Sequence, residues 1–301
     1  MVHKALLDFL NINKTEYRLN EPMCEHTSFK IGGAADIFIM PSSSEETAEI
    51  LRTLNENAVP CFPLGKGSNL LVSDKGIEGA VLSLCKMDKI EVNGNQITAG
   101  AGASLMAVCI AACKAGLSGL EFAYGIPASV GGALYMNAGA YGGEMSQAVK
   151  SAEYIDQNGE IKTISKEDMA LGYRKSIFKK GSMLITSVTF ELTEGDGEKI
   201  KSQMDVFMCR RKNKQPLEYP SAGSTFKRPE GYFAGALIEK NNLKGVSVGG
   251  AQVSVKHAGF VINSGGATCE DVKNLMQKVR DTVEKNDGVI LEPEVIFVGR
   301  D

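Results

Sequence analysis

Cys61-Phe62-Pro63-Leu64-Gly65-Lys66-Gly67-Ser68-Asn69 runs a short apolar stretch straight into a glycine-rich loop, and its reading decides the fold. Cys61–Leu64 reads as a strand. The glycines after it let backbone N–H groups converge on an anion, because a Cβ would block both the turn and the close approach. Ser68 and Asn69 add side-chain donors. Upstream, Ala35–Met40 reads as a buried strand and Ser44 to about Asn57 as a helix, with Ser43 and Glu46 at capping-box spacing. Downstream, Gly79–Leu84 supplies a third strand. Strand, helix and strand in this order suggest a small α/β unit with a parallel pair.

Beyond Lys86 the pattern changes. Strand-like segments recur at Gln96–Ala99, Ser151–Asp156, Glu160–Ile164 and Met183–Leu192, and Asn158-Gly159 between two of them is a hairpin signal. Helices read at Ser104–Ala115, ended by Gly116, and near Ala128–Asn137. A third unit begins near Glu198 with a helix through Arg211 and a Pro- and Gly-rich loop, Gln215–Gly223. It continues with a helix near Gly231–Glu239, strands around Ala251–Val255 and Phe260–Asn263, and an amphipathic helix from Thr268 to Asn286. The last strand, Glu294–Val298, is too short to stand alone and must add to an existing sheet.

The composition, 43% hydrophobic and 23% charged over 301 residues, is that of a globular protein with room for about two or three domains. The net charge of -3 argues against a nucleic-acid binder, which usually shows a basic face. Seven cysteines lie mostly in apolar settings with no C-x-x-C pair, so they read as reduced thiols of a cytoplasmic protein. Cys109 and Cys113, at i and i+4 among Leu, Ala and Val, read as buried helix positions. The N-terminus lacks a signal peptide's apolar core, and no run is long and apolar enough to predict membrane insertion.

A second glycine-rich stretch is Gly125-Ile126-Pro127-Ala128-Ser129-Val130-Gly131-Gly132-Ala133. Pro127 favours the first turn of a helix, and a helix N-terminus is a ready anion site. Two phosphate-friendly loops suit a nucleotide or a pyrophosphate-bearing dinucleotide. Gly65–Asn69 is not the Rossmann fingerprint, since Leu70 occupies the third glycine position, and no Walker A spacing occurs. His3, His26 and His257 are widely spaced, which disfavours a metal site, and no G-x-S-x-G elbow is present. The chemistry must therefore come from a cofactor.

Six segments occur in one order: His26–Gly33, Gly65–Leu71, Gly125–Ala133 with Asn137–Gly142, Gly172–Phe178, Ala222–Pro229 and Leu291–Val295. Together they resemble the UDP-N-acetylenolpyruvoylglucosamine reductase family, which acts in peptidoglycan precursor synthesis. The resemblance runs from about Asn20 to the C-terminus. It implies an α+β chain: a two-subdomain FAD-binding region of the vanillyl-alcohol-oxidase (PCMH) type, then a smaller α+β substrate-binding domain. The expected boundaries are 1–85, 86–197 and 198–293, with 294–301 returning to the first part. Gly65, Lys66, Gly67, Ser68 and Asn69, with Gly125, Ile126, Pro127, Ala128, Ser129, Gly131, Gly132 and Ala133, would line a non-covalent FAD. Ala128 stands where many relatives have glycine.

By the same resemblance the catalytic residues are Arg174, Ser224 and Glu294. The implied reaction takes UDP-N-acetylglucosamine enolpyruvate to UDP-N-acetylmuramate, with hydride passing from NADPH to flavin and then to the terminal vinyl carbon. Arg174 would stabilise the enolate, since guanidinium meets a carboxylate in bidentate fashion. Ser224 would supply the proton and Glu294 a hydrogen bond. Tyr173 and Lys227 are expected to contact the uridine diphosphate and sugar, with Gln252 and Asn263 as further substrate candidates. The chain moves from Phe178 almost directly to the strand Met183–Leu192, so it resembles the second type, which lacks an extra substrate-capping loop. Two rivals stay open: a covalent flavin oxidase of the same fold, disfavoured by the absence of histidine from both loops, and a nucleotide-sugar binding module without chemistry.

Overall fold

The computed structural model describes residues 4–181 and 183–300; His3 and Asp301 lie outside them. Packing divides the chain into two compact units: Met1–Leu19, Ile37–Lys66 and Gly79–Arg210 form the first, and Asn20–Asp36, Gly67–Glu78 and Arg211–Asp301 the second.

The first unit holds helices α1 (Lys4–Ile12), α2 (Ser44–Glu56), α3 (Leu105–Lys114), α4 (Val130–Tyr135) and most of α5 (Gly197–Lys214). In α2 the Ser43 side chain accepts from the Glu46 N–H at 3.1 Å. The reciprocal half of the expected capping box is absent. The Glu46 carboxylate instead accepts from the Ser42 N–H (2.7 Å) and the Thr15 hydroxyl (2.6 Å). Thr47, Ala48, Ile50 and Leu54 form its buried stripe at helical spacing.

A four-stranded sheet takes the order Glu16–Pro22, Ala34–Met40, Ile77–Ser83, Cys61–Leu64. The parallel pair foreseen around α2 is made by Cys61–Leu64 and Ile77–Ser83, with Ile77–Ser83 lying between the two strands that α2 connects. The strand Glu16–Pro22 escaped the sequence reading, because its polar letters follow no simple alternation. A five-stranded antiparallel sheet runs Ile161–Ser165, Val149–Ile155, Leu184–Glu191, Gln96–Gly100, Ile90–Asn93. Asn158-Gly159 does sit in a hairpin, but one of five residues between Ile155 and Ile161. The Asp156 carboxylate organises it by accepting from the Asn158 and Glu160 N–H groups at 2.8 and 3.0 Å.

One apolar core runs through this unit, from Leu6 and Ile37 to Phe190 and Met204. Cys109 is buried in it, and the burial pushes its thiol up to about 12. Cys113 is only half-buried, a departure from the reading of both as core. Cys85 and Cys209 are exposed. A thiol reagent should therefore label Cys85 and Cys209 in the native protein and Cys109 only after denaturation, as peptide mass spectrometry would show. Labelling of native Cys109 at the same rate would contradict the burial.

The second unit is built on α6 (Ala234–Lys240), α7 (Cys269–Asp287) and a three-stranded sheet of Ser247–Val248, Ala251–Val253 and Val261–Asn263. A full capping box of Thr268 and Asp271 starts α7, and Gly288 at φ 68 ends it. Val272, Leu275, Met276, Val279 and Val283 pack into a core with Phe29, Ala251, Val261 and Leu291. The C-terminal strand Ile296–Val298 pairs in parallel with Leu70–Val72. No helix of the described residues is long and apolar enough to cross a membrane.

Candidate active site

In the first unit the two glycine-rich loops meet. A Cβ on Gly65 would lie 2.1 Å from the Ser129 hydroxyl oxygen, so only glycine allows that approach. Ser129 is the N-cap of α4 and accepts from the Gly132 N–H at 3.3 Å. Gly131 packs on Ala101, where a Cβ would come within 2.8 Å of the alanine methyl.

The start of α4 departs from the expectation of an open anion site. The Val130 N–H donates to the Ala103 carbonyl and the Gly131 N–H to the Ala101 carbonyl, each at 2.9 Å. With Gly132 bound to Ser129, the first turn has its donors engaged. Gly125 takes φ 91, and the Ile126 and Ala128 N–H groups bond to Ala123 and Ile126 carbonyls. This second loop supplies close packing around Gly65 rather than a row of open donors.

The first loop is the reverse case. Among the described residues, the backbone N–H groups of Lys66, Gly67, Ser68 and Asn69 donate to no protein acceptor. Four consecutive open donors on a glycine-containing turn fit an anionic ligand such as a dinucleotide's pyrophosphate. In the second unit, Gly67 has φ 59 and its Cβ position lies 2.1 Å from the His26 carbonyl oxygen. The His26 imidazole meets Glu21 at 2.8 Å, and the Ser28 N–H donates to the Gly67 carbonyl at 3.3 Å. The His26–Gly33 motif thus has a structural use as the wall behind Gly67.

Arg174, in the first unit, sits in a tight turn closed by reciprocal bonds between Gly172 and Lys175, both 3.0 Å. It takes φ 53, a left-handed conformation that costs a non-glycine residue about 1–3 kcal/mol. Its guanidinium carbon lies 5.0 Å from the ring centre of Tyr173, which is 53% exposed. Asn137, fully buried, donates through Nδ2 to the Gly172 carbonyl at 2.9 Å.

Ser224 and Glu294 belong to the second unit and are held by one antiparallel pairing. The Glu294 N–H donates to Thr225 O at 2.9 Å, Phe226 bridges Pro293, and the Lys227 N–H donates to Glu292 O at 2.8 Å. Thr225 is buried, and its hydroxyl accepts from the Val261 N–H at 2.9 Å. Ser224, just after the left-handed Gly223, is exposed, and its hydroxyl makes no hydrogen bond among the described residues. Gly223 beside it has φ 78 with open space at its Cβ position. Asn69 reaches the same segment: its Nδ2 donates to the Glu294 carbonyl at 3.1 Å, and its carbonyl accepts from the Ile296 N–H at 2.9 Å. Its side chain therefore holds Glu294's backbone, a use not foreseen from the loop alone.

The remaining substrate candidates are engaged inside the second unit. Lys227 pairs with Glu292 at 2.9 Å. Gln252 donates to the Ser247 hydroxyl (3.0 Å) and the Gly245 carbonyl (3.3 Å). Asn263 donates to Phe29 O at 3.2 Å and accepts from the Gly265 and Ala267 N–H groups at 3.0 and 3.1 Å. His257 accepts from the Gly259 N–H at 3.1 Å and packs edge-on against Phe260. Burial holds its pKa below the usual histidine value.

Residues 35–165 match the family model for an FAD binding domain, and residues 215–298 that for the UDP-N-acetylenolpyruvoylglucosamine reductase C-terminal domain. The chain is 51% identical to the UDP-N-acetylenolpyruvoylglucosamine reductase of Clostridium novyi, over 96% of this chain and 94% of that protein.

The chain belongs to the UDP-N-acetylenolpyruvoylglucosamine reductase family.

Identity to the Clostridium perfringens reductase is 50%, over 99% of this chain and 98% of its relative. The crystal structure of the Thermus caldophilus reductase aligns with TM-score 0.81 at 35% identity, covering 94% of this chain and 98% of that one. A berberine bridge enzyme structure aligns at TM-score 0.50 and 15% identity over 65% of this chain and 44% of that chain, a likeness of fold alone. The fold is therefore an α+β FAD-binding architecture of the PCMH type, and the chain is an FAD-dependent oxidoreductase.

Proposed function

We propose that this chain reduces UDP-N-acetylglucosamine enolpyruvate to UDP-N-acetylmuramate, with NADPH as reductant, in the cytoplasmic assembly of peptidoglycan precursors. The observation that carries the reading is membership of the reductase family across essentially the whole chain. The parts expected to bind FAD, residues 1–85 and 86–197, and the part expected to bind substrate, 198–293, belong to this reading. It is supported by an FAD binding model and a reductase C-terminal model matching in that order.

A bound FAD, with NADPH as its reductant, would supply the hydride. The open N–H groups of Lys66–Asn69 are suited to hold the anionic part of such a cofactor. Negative charge then develops on the substrate's carboxylate and the carbon next to it. Arg174 stabilises it, a strained and fixed cation being worth most where charge appears only in the transition state. Ser224 Oγ delivers the proton to that carbon. Its exposed hydroxyl, without a partner among the described residues, suits this role, and substrate binding must supply the activation that an ordinary serine lacks. Glu294, with its backbone pinned by Thr225 and Asn69, hydrogen-bonds the same intermediate.

The purified protein should be yellow, and NADPH oxidation should accelerate only when UDP-N-acetylglucosamine enolpyruvate is added. A colourless protein that takes up no FAD would sink the reading. Acid precipitation should release the chromophore, since no histidine lies in either loop; colour retained in the pellet would instead mark a covalent flavin.

A further inference from the structure

Asn137 has no role in the reaction described above, yet its position is tightly specified. It is fully buried, it adopts φ 42, and both ends of its carboxamide are engaged. Nδ2 donates to the Gly172 carbonyl at 2.9 Å, and Oδ1 accepts from the Ser146 N–H at 2.9 Å. Gly172 is the first residue of the turn whose third residue is Arg174. At that place in a turn with positive φ, glycine or asparagine is the usual occupant. An arginine stays there only if the surroundings over-determine the backbone.

Three bonds do so. One is Asn137 to Gly172. On the other side of the turn the Ser176 hydroxyl, itself buried, donates to the Tyr135 carbonyl at 2.7 Å. The Lys179 ammonium donates to the Arg174 carbonyl at 3.1 Å and lies 5.7 Å from the Tyr135 ring centre. Tyr135 ends α4 and Asn137 follows it by two residues. The turn is therefore strapped to the end of the helix that Ser129 begins. Asn137 is fully buried, and its loss leaves the Gly172 carbonyl with only the bond from the Lys175 N–H that closes the turn.

We propose that Asn137 is a positioning residue for the reaction: it clamps the Gly172 carbonyl and so fixes the left-handed turn that presents Arg174. This rests on the role given to Arg174 under the proposed function. A clamp of this kind acts on placement, and a displacement of about 1 Å at a reacting group can cost on the order of 100-fold in rate.

The test uses the holoenzyme and separates the two half-reactions by stopped flow. Asn137→Gly removes the side chain while keeping a residue that accepts positive φ, so no backbone strain is added, and FAD content and melting temperature are read beside the rates. Asn137→Asp keeps the acceptor for Ser146 but sets an oxygen against the Gly172 carbonyl. Both variants should retain bound FAD and reduce it with NADPH within about twofold of wild type, while reoxidation by the enol ether slows roughly 10- to 100-fold. Combined with Arg174→Gln, which is itself slow, Asn137→Gly should add less than about twofold, because a positioning residue has nothing left to position. A slow Arg174→Gln beside a wild-type-like Asn137→Gly, or fully multiplicative effects in the double variant, overturns the positioning role alone. An Arg174→Gln enzyme that reoxidises at the wild-type rate overturns both this inference and the role of Arg174.

Discussion

Ser224→Ala is expected to leave FAD content and flavin reduction by NADPH unchanged and to lower turnover of the enol ether by about 10²–10⁴-fold, the usual worth of a positioned general acid. The structure gives the expectation its shape. Ser224 is exposed and its hydroxyl has no partner among the described residues, while the buried Thr225 beside it carries the pairing with Glu294 and Val261. Removing the Ser224 hydroxyl therefore takes away no packing and no protein hydrogen bond, and the melting temperature should stay within about a degree. Thr225→Val is the contrasting case. It leaves the Val261 N–H unsatisfied and should destabilise by about 1–3 kcal/mol. Stopped-flow spectra in both half-reactions separate the two outcomes. If Ser224→Ala slowed flavin reduction, or turned over at the wild-type rate, the acid role would be wrong.

Gly67→Ala is the second large effect. The added methyl would sit 2.1 Å from the His26 carbonyl oxygen and 3.1 Å from Thr27 Cα, both main-chain atoms. No side-chain rotation can relieve the clash, and the backbone behind it is fixed by the His26–Glu21 contact and the Ser28–Gly67 bond. The φ of 59 adds the ordinary penalty for a left-handed alanine, about 1–2 kcal/mol. Overpacking adds roughly 1–3 kcal/mol. The same shift misaligns the open N–H groups of Lys66–Asn69, so FAD should be lost on gel filtration and the melting temperature should fall by several degrees. Gly223→Ala, with open space at its Cβ position, is the control and should show only the backbone penalty. A Gly67→Ala protein that kept its flavin and its melting temperature would refute the account of this loop.

The elements legible in the sequence are those with a strong local code. The buried stripe and Ser43 cap of α2, the Thr268 cap and Gly288 stop of α7, and the strand feeding Gly65 all follow from neighbours within a few residues. The order of the motifs was equally readable and placed Arg174, Ser224 and Glu294 in line. The polar strand Glu16–Pro22 had no such code and was missed. Gln252, Asn263 and Lys227, expected to contact substrate, are each bonded to protein groups whose identity no local pattern announces. The helix start after Pro127 looked like an anion site for the same reason: Ala101 and Ala103, which take up its N–H groups, lie almost thirty residues away.

By itself, then, the sequence determined where glycine must stand, where helices begin and end, and which chemical groups are available to a flavin reductase. Those depend on φ preference, capping and periodicity, all set within one or two turns of chain. Only the tertiary structure decided which donors remain open. It settled Gly65 against Ser129, gave Asn137 to Gly172 and Asn69 to Glu294, and laid the last strand beside Leu70–Val72. A hydrogen-bonding group is available to a ligand only after every distant protein partner has been placed.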